Sequence, residues 1–132
     1  MVEIVNDVYN LDFFYSQTLL PLKNRLKKKK DFERIFKSGK GIKEDFLFLK
    51  WAPNNLKISR FGFMVGKKIS KMATLRNKIR RRLREQVRLR LPKIKKGIDG
   101  ILVANPGLET RDFWEMEETL NKLFEKAKLY KS

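Results

Sequence analysis

Cysteine and histidine are both missing from this chain of 132 residues. Their absence excludes a thiolate nucleophile, an imidazole base and every common type of zinc site. Carboxylates remain available for chemistry, but the basic middle of the chain has only Glu85 and Asp99 between Lys67 and Gly100. Because metal-dependent nucleases need clustered acids, the composition favours a binding protein whose reaction takes place on a partner.

Long hydrophobic runs are lacking as well. No apolar segment reaches the roughly 18 residues that are needed to cross a bilayer, and the N-terminus is acidic where a secretory signal would be basic. We therefore expect a cytoplasmic protein with no membrane partner. The chain shows no Gly-rich phosphate loop and no internal repeat. With 42% hydrophobic residues, it can build one modest core, so a second full domain is not expected.

Positive charge is what the sequence has in excess. The 32 Lys and Arg outnumber the 15 Asp and Glu, which gives a formal net charge of +17. Nucleic acid is the default partner for such a charge, and an anionic membrane surface is the weaker option. The charge is concentrated in residues 67–96, where 14 Lys or Arg accompany one acid, Glu85. Apolar residues recur every four positions in this segment and predict an amphipathic helix: Leu75, Ile79, Leu83, Val87 and Leu91.

The ends of this basic helix carry recognisable signals. Ser70 or Thr74 is expected to cap its start and Pro92 to stop its far end. Like charges one turn apart, such as Arg76 and Arg80, repel each other, so a bound polyanion would stabilise the helix. A solvated charged face is the ordinary interpretation of a charge run, but such faces mix signs and this one does not.

The N-terminal residues 1–22 differ in composition from the rest of the chain. Glu3, Asp7 and Asp12 are their only charged side chains, and aromatic residues lie among them. We expect an extension outside a single RNA-binding domain of residues 23–132. The simpler interpretation is a loosely held terminus, and the functional one is an acidic arm that lies transiently on the basic surface.

A short helix with Phe32 and Phe36 on one side is predicted to follow the basic run of residues 23–30 and to stop at Gly39. Both rings would be core residues in the simpler interpretation. Alternatively, a ring left partly exposed beside the lysines can stack on an unpaired base, for about 1 to 3 kcal/mol.

Strand composition marks three further segments. Residues 45–51 are predicted to pair antiparallel with residues 58–65, and residues 101–104 form a short buried strand. One face of the first strand would carry Phe46, Phe48 and Lys50.

An apolar stripe from Phe113 to Tyr130 predicts a C-terminal scaffold helix with Thr110 as its cap. Its acids lie at the front and its lysines at the back, which matches the helix dipole. The elements together indicate an α/β, or α+β, two-layer sandwich with a small mixed sheet of three to four strands.

These segments resemble a known family. RLKKKKDFERIFKSGKGI, RFGFMVGKKISKMATLRNKIRRRLRE, the strand ILVANP and the last helix are similar, in this order, to the protein subunit of bacterial ribonuclease P over roughly residues 24–130. The resemblance implies a holoenzyme in which a large RNA removes the 5′ leader from precursor tRNA. The protein would assist without catalytic residues of its own, with one protein per RNA and Mg²⁺ held through the RNA rather than by the protein.

The resemblance also implies a left-handed strand–helix–strand crossover, although such parallel connections are right-handed in about 98% of cases.

The resemblance further implies two binding surfaces. The family's Arg-Asn-Arg core corresponds to Arg76, Asn77 and Lys78, where lysine keeps the charge but loses the planar fork of arginine. The implied surface for the catalytic RNA consists of Lys67, Lys68, Arg76, Asn77, Lys78, Arg80, Arg81 and Arg84. The implied cleft for the leader of precursor tRNA consists of Lys28, Phe32, Phe36, Phe48 and Lys50.

Two positions depart from the pattern of the family. Lys50 stands where an aromatic residue is frequent, and Asn105 where a basic residue is common.

Two other functions stay open on the sequence alone. A basic structural protein of ribosomal type would bind RNA without distinguishing precursor from mature tRNA. A DNA-binding module would leave the aromatic residues suited to single strands without a use, so a DNA partner is not expected.

Overall fold

The computed structural model describes residues 20–132, so the extension expected over residues 1–22 falls almost entirely outside the described residues. Single 3₁₀ turns lie at Leu22–Asn24, Leu91–Lys93 and Leu108–Thr110. Within residues 20–132 the chain forms three α-helices and four strands, in the order α1 (Lys29–Ser38), β1 (Lys40–Glu44), β2 (Leu47–Pro53), β3 (Arg60–Met64), α2 (Ala73–Arg90), β4 (Ile98–Ala104) and α3 (Phe113–Lys126).

The four strands form one mixed sheet in the order β1-β2-β4-β3. β4 pairs antiparallel with β2 and parallel with β3, so Leu102 lies opposite both Leu49 and Phe63. The sequence predicted that residues 45–51 pair antiparallel with residues 58–65. These segments correspond to β2 and β3, which do not pair with each other, so that prediction is wrong. β4 lies inside the sheet, between β2 and β3. Its residues Ile101 and Leu102 are fully buried on opposite faces. A strand that is apolar on both faces is stabilised in the middle of a sheet.

β1 was not recognised from the sequence. Its residues KGIKE contain a single large apolar side chain, Ile42, which packs against the main core. β1 pairs with β2 alone, at the edge of the sheet. Charged residues are common on such edge strands because they discourage pairing with other chains. The mixed α/β fold class that the sequence predicted is confirmed.

α2 connects β3 to its parallel neighbour β4. That this crossover is left-handed stays a prediction from the family resemblance. The connection matters for function because it places the start of the basic helix beyond the end of β3 and its last turn near the start of β4.

The two faces of the sheet are covered unequally. On one face, α2 and α3 bury the main core, in which Leu83 and Phe124 pack with Leu49 and Phe61. On the other face, Ile35 of α1 packs with Ala52 and Ile101 in a smaller cluster. α1 has only ten residues, so it covers part of this second face and leaves the remainder accessible.

The caps of the two long helices differ from the prediction. α2 begins after Met72 without a side-chain cap. Ser70 Oγ instead accepts a hydrogen bond from the Met72 amide at 3.0 Å, in the turn before the helix, and Thr74 lies inside the helix. α2 ends at Arg90, just before Pro92, as expected.

α3 is capped by Asp112 rather than by Thr110. Asp112 accepts from the Glu115 amide at 2.8 Å, and the Glu115 side chain accepts from the Asp112 amide in return. This reciprocal pair forms a capping box, which satisfies two amides that the helix leaves free. Thr110 donates to the Gly107 carbonyl and closes the preceding turn. Phe113, which was predicted to be part of the apolar stripe, is 44% exposed.

Candidate nucleic-acid interface

α2 buries the predicted stripe and directs its cations outward. Ile79, Leu83 and Val87 are buried in the main core. Asn77 and Lys78 are exposed on the opposite side of the helix. The partly exposed members of this outer face are Arg76, Arg80, Arg81 and Arg84.

Neutral acceptors hold two of these arginines in place. Arg76 donates from Nη1 to the Ser70 carbonyl at 2.9 Å. Arg80 donates to Oδ1 of Asn77 and, at 3.3 Å, to the Val65 carbonyl. Asn77 therefore orients Arg80 in addition to any contact that it makes itself. Carbonyl groups fix both guanidinium groups without cancelling their charge, and the charge stays available to an anion.

Arg84 lies in a strongly positive environment. Its guanidinium carbon is 5.9 Å from the centre of the Phe63 ring. Burial, followed by repulsion from Arg25, Arg80 and Arg81, lowers the pKa of the Arg84 guanidinium from its ordinary value. A bound phosphate would relieve that repulsion.

The last turns of α2 use their cations differently. Arg88 donates to both carboxylate oxygens of Glu85, at 2.9 and 2.6 Å. Arg90 is buried and donates to the Gln86 and Asn121 side chains at 2.7 and 2.9 Å. The basic helix thus consists of an outward-facing front half and a back half in which Arg88 is paired within α2 and Arg90 is bonded to α3. Lys67 and Lys68 extend the front half, since both are exposed in the loop before α2.

The accessible part of the second sheet face carries the aromatic positions that were predicted to form a cleft. Leu47 and Leu49 of β2 lie in the main core, so alternation along the strand places Phe48 and Lys50 on the face that carries α1. Both are half-buried. On α1, Phe36 is 39% exposed, and Lys28, just before the helix, is also exposed.

The Phe32 ring packs against the sheet and is less accessible than the Phe36 ring. A Cβ atom added to Gly62 would lie 2.4 Å from Cζ of Phe32, so the ring packs directly on the β3 backbone. A Cβ at Gly41 would similarly come within 2.8 Å of Cζ of Phe48. The glycines allow the rings to lie close against the sheet. The structure thus places the five predicted cleft residues on or beside one face, with Phe36 the most exposed of the three rings.

Phe46 does not join them. Asp45 has a φ of 50°, and the resulting turn delays the start of β2 to Leu47. Phe46 is buried in the main core instead, with the guanidinium of Arg111 4.8 Å from its ring centre. The sequence pattern missed this because the left-handed turn at an Asp changes the register by which alternating faces are counted.

Asp99 was not singled out as a functional residue, yet it holds α1 in place beside the predicted cleft. Its side chain is fully buried and accepts from Arg60 at 2.9 and 2.7 Å, and from Arg34 of α1. Asn54 donates to the same carboxylate at 2.8 Å. α1 is therefore tied to β3 and β4 through one acid. Its position as an isolated acid in an otherwise apolar strand was the available signal.

The pKa of Asp99 reflects this network. Burial alone would raise it, but hydrogen bonds from Arg60 and Asn54, together with the charges of Arg60 and Arg34, hold the pKa below its ordinary value. Asp99 is thus an ionised anchor for α1.

In residues 20–132, no group of three or more acidic residues is placed so that it could hold a metal ion. None of the helices in this part of the chain has the length and apolar content that crossing a membrane requires.

Comparison with known proteins identifies the family. The sequence model of the family Ribonuclease P matches residues 20–128. The ribonuclease P protein component of Caldanaerobacter subterraneus subsp. tengcongensis is 35% identical over 106 residues, which cover 80% of this chain and 90% of that protein. The chain belongs to the ribonuclease P protein family. It is therefore the protein component of a ribonucleoprotein enzyme that cleaves precursor tRNA, and RNA is its partner.

Two further ribonuclease P proteins agree with this assignment. That of Dictyoglomus turgidum is 37% identical over 113 residues, covering 84% of this chain and 94% of the relative. The structure of the Staphylococcus aureus ribonuclease P protein superposes with a TM-score of 0.75 at 28% identity, covering 82% of this chain and 98% of that one. The family resemblance stated from the sequence is confirmed, and with it the predicted role in maturation of the tRNA 5′ end.

Proposed function

We propose that the protein binds the catalytic RNA of ribonuclease P through the outer face of α2 and the 5′ leader of precursor tRNA on the open sheet face beside α1. The observation that carries the proposal is the unequal covering of the sheet. α2 packs on one face, whereas Phe36, Phe48 and Lys50 belong to the other. Two RNA segments can therefore be held at once.

The α2 surface suits a folded RNA. Arg76 and Arg80 are held by carbonyl groups, and Arg84 is crowded by other cations. Each phosphate bound there releases condensed counterions, which drives association. Lys67, Lys68, Asn77, Lys78 and Arg81 complete this surface.

The cleft suits an unpaired strand. Half-exposed rings at Phe36 and Phe48 offer faces on which bases can stack, and Lys28 and Lys50 supply charge for the backbone. Phe32 supports the cleft from below. Only the precursor carries leader nucleotides, so this surface raises affinity for precursor over mature tRNA.

Hydrolysis is assigned to the RNA. Magnesium held by the RNA and by substrate phosphates would supply the activated water, and residues 20–132 contain no acid cluster that fits such an ion. The protein's own residues bind and orient the two RNA segments. One protein acts with one RNA in this proposal, and the cytoplasm is its expected location.

The test compares precursor and mature tRNA. Affinities of both are measured for the catalytic RNA alone and for the reconstituted holoenzyme at low magnesium. The protein is expected to tighten binding of the precursor and to leave the mature tRNA nearly unchanged. Equal tightening of both would contradict a leader site and favour general basic RNA binding. Protein freed of RNA should leave the precursor uncut.

A further inference from the structure

A lysine-lined pocket lies at the far end of α2 from Arg76. It has a volume of about 260 Å³ and is partly floored by the apolar side chains of Ile58, Leu91 and Ile94. Five lysines from four separate segments surround it: Lys23, Lys57, Lys95, Lys96 and Lys131. We call this site the lysine pocket. None of the residues predicted from the sequence to bind RNA lines it.

A buried hydrogen-bond network brings these segments together. Asn24 donates from its side chain to the Ser59 carbonyl at 2.8 Å. Ser59 Oγ donates to the Lys95 carbonyl and accepts from the Ile98 amide. Ser59 and Asn24 are both buried. The 3₁₀ turn, the loop before β3 and the segment before β4 are therefore fixed relative to one another.

The C-terminus joins the same structure. The Lys95 amide donates to the Leu129 carbonyl at 2.8 Å, and the Lys131 amide donates to the Lys93 carbonyl at 2.7 Å. The chain thus uses backbone bonds to bring Lys131 beside lysines that precede β4. A site assembled from such distant segments is preorganised, which reduces the cost of ordering it on binding.

The pocket has no acid to balance its charge, since no Asp or Glu occurs among the described residues that line it. Lysines that converge without acids repel each other, and an anion with several charges relieves that repulsion. The apolar floor suits the sugar or base that accompanies a phosphate. The chemistry of the site is therefore that of a nucleic-acid backbone.

We propose that the lysine pocket binds the phosphate backbone of the catalytic RNA at a second point, separate from the outer face of α2. At roughly 1.5 Å per helical residue, Arg76 and Leu91 are about 22 Å apart along the axis. A single protein could then hold two segments of the RNA in a fixed relation. The inference uses RNA as the family's partner and is independent of the roles proposed for α2 and the cleft.

A second copy of this chain is the less favoured occupant. Acids of α3 could supply its surface, but there Glu117 lies 3.8 Å from Arg90 and Glu118 lies 3.4 Å from Lys122. These carboxylates already have cationic neighbours, whereas RNA phosphates bring unpaired charge.

Charge removal provides the first test. The variant Lys57→Gln, Lys95→Gln, Lys96→Gln changes three exposed side chains and is compared with Lys40→Gln, Lys122→Gln, Lys128→Gln, which loses the same charge elsewhere. Affinity of the full chain for a ribonuclease P RNA is measured across a salt series. Loss of two or three phosphate contacts should weaken binding roughly tenfold or more near 150 mM salt and reduce the logarithmic salt slope by about 2. Affinity and slope equal to those of the control would overturn the proposal.

Crosslinking provides the second test and does not depend on the triple variant folding. The chain has no cysteine, so Lys96→Cys creates a unique attachment point for a photoreactive group, with Asn77→Cys as the comparison on α2. Lys96→Cys should crosslink to the catalytic RNA at nucleotides different from those reached from position 77. Crosslinking to a second protein copy, or no RNA crosslink, would overturn the proposal. Failure at position 77 alone would count against the α2 surface and leave the lysine pocket supported.

Discussion

Asp99 links stability and function at the scale of a single residue. The carboxylate is inaccessible to solvent, but its partners Arg60 and Arg34 keep 22% and 39% of their side chains exposed. Through Arg34, Asp99 fixes α1 over the sheet, so the same contact that stabilises the fold also positions α1 beside the proposed leader cleft.

Replacing this acid should cost stability in a pH-dependent way. Asp99→Asn is expected to lower the free energy of unfolding by about 2 kcal/mol at pH 7, less than the 3 to 5 kcal/mol of a fully buried pair because both arginines are partly hydrated. The pKa of Asp99 is depressed in the folded state. Its contribution is thus present above the unfolded pKa, near 4, and is lost as pH falls through the folded pKa.

Denaturant unfolding of both proteins between pH 7 and pH 2 measures this effect. The difference between them should narrow below about pH 4. Glu118→Gln, which changes an exposed surface pair, serves as control and should unfold like the parent. A constant difference across the whole pH range would argue against the ionised anchor.

A substitution at Phe36 should separate the proposed leader binding from core packing. Because its ring is 39% exposed, Phe36→Ala should leave the unfolding free energy almost unchanged while weakening precursor tRNA binding by the holoenzyme, by about 1 to 3 kcal/mol per stacked base. Trp114, 72% exposed on α3, gives a matched control away from the cleft. Trp114→Ala should bind precursor normally, and an equal loss in both variants would contradict the leader site.

At the scale of elements, α2 was the most predictable part of the chain. Its buried stripe and outward cations follow from local spacing, because a helix depends on residues three and four apart. Strand pairing depends on residues far apart in sequence, and the prediction accordingly paired strands that are consecutive in the chain. β1 was missed because two lysines and one isoleucine give no strand pattern.

The front half of α2 can be tested as a unit. Arg76→Ala plus Arg80→Ala should retain the fold, since alanine is a better helix former than arginine and both side chains are partly exposed. Affinity for the catalytic RNA should fall, with the logarithmic salt slope reduced by about 2. The same measurement on Lys122→Ala plus Lys128→Ala controls for net charge. Undiminished RNA affinity in the arginine variant, with an intact fold by circular dichroism, would remove α2 from the interface.

The candidate site was only partly readable from the sequence. The cations of α2 and the aromatic positions Phe36 and Phe48 were predicted, and the structure places them on two different faces. Asp99 and the lysine pocket were not predicted, because each depends on segments that meet only after the chain folds. Phe46 was placed wrongly, since one left-handed residue at Asp45 shifted the strand.

For the whole molecule, net charge should dominate assembly. With a formal charge of +17 and about six phosphates engaged, affinity for the catalytic RNA should fall on the order of a thousandfold between 50 and 200 mM salt. The proposed leader binding would depend more on stacking, so its affinity should change less with salt. Filter binding of each RNA over that salt range measures both, and equal slopes would contradict the division into two surfaces.

The central position of β4 has a consequence for synthesis on the ribosome. β4 lies between β2 and β3 and is complete only when translation has passed Ala104, whereas the arginine-rich helix has already been made by residue 90. The cationic segment therefore emerges before its scaffold can close, in surroundings full of ribosomal and messenger polyanions. A nascent chain halted before Ile98 would expose the charged helix α2 without the complete sheet that supports it. We expect the chain to discriminate among RNAs only after β4 has joined the sheet.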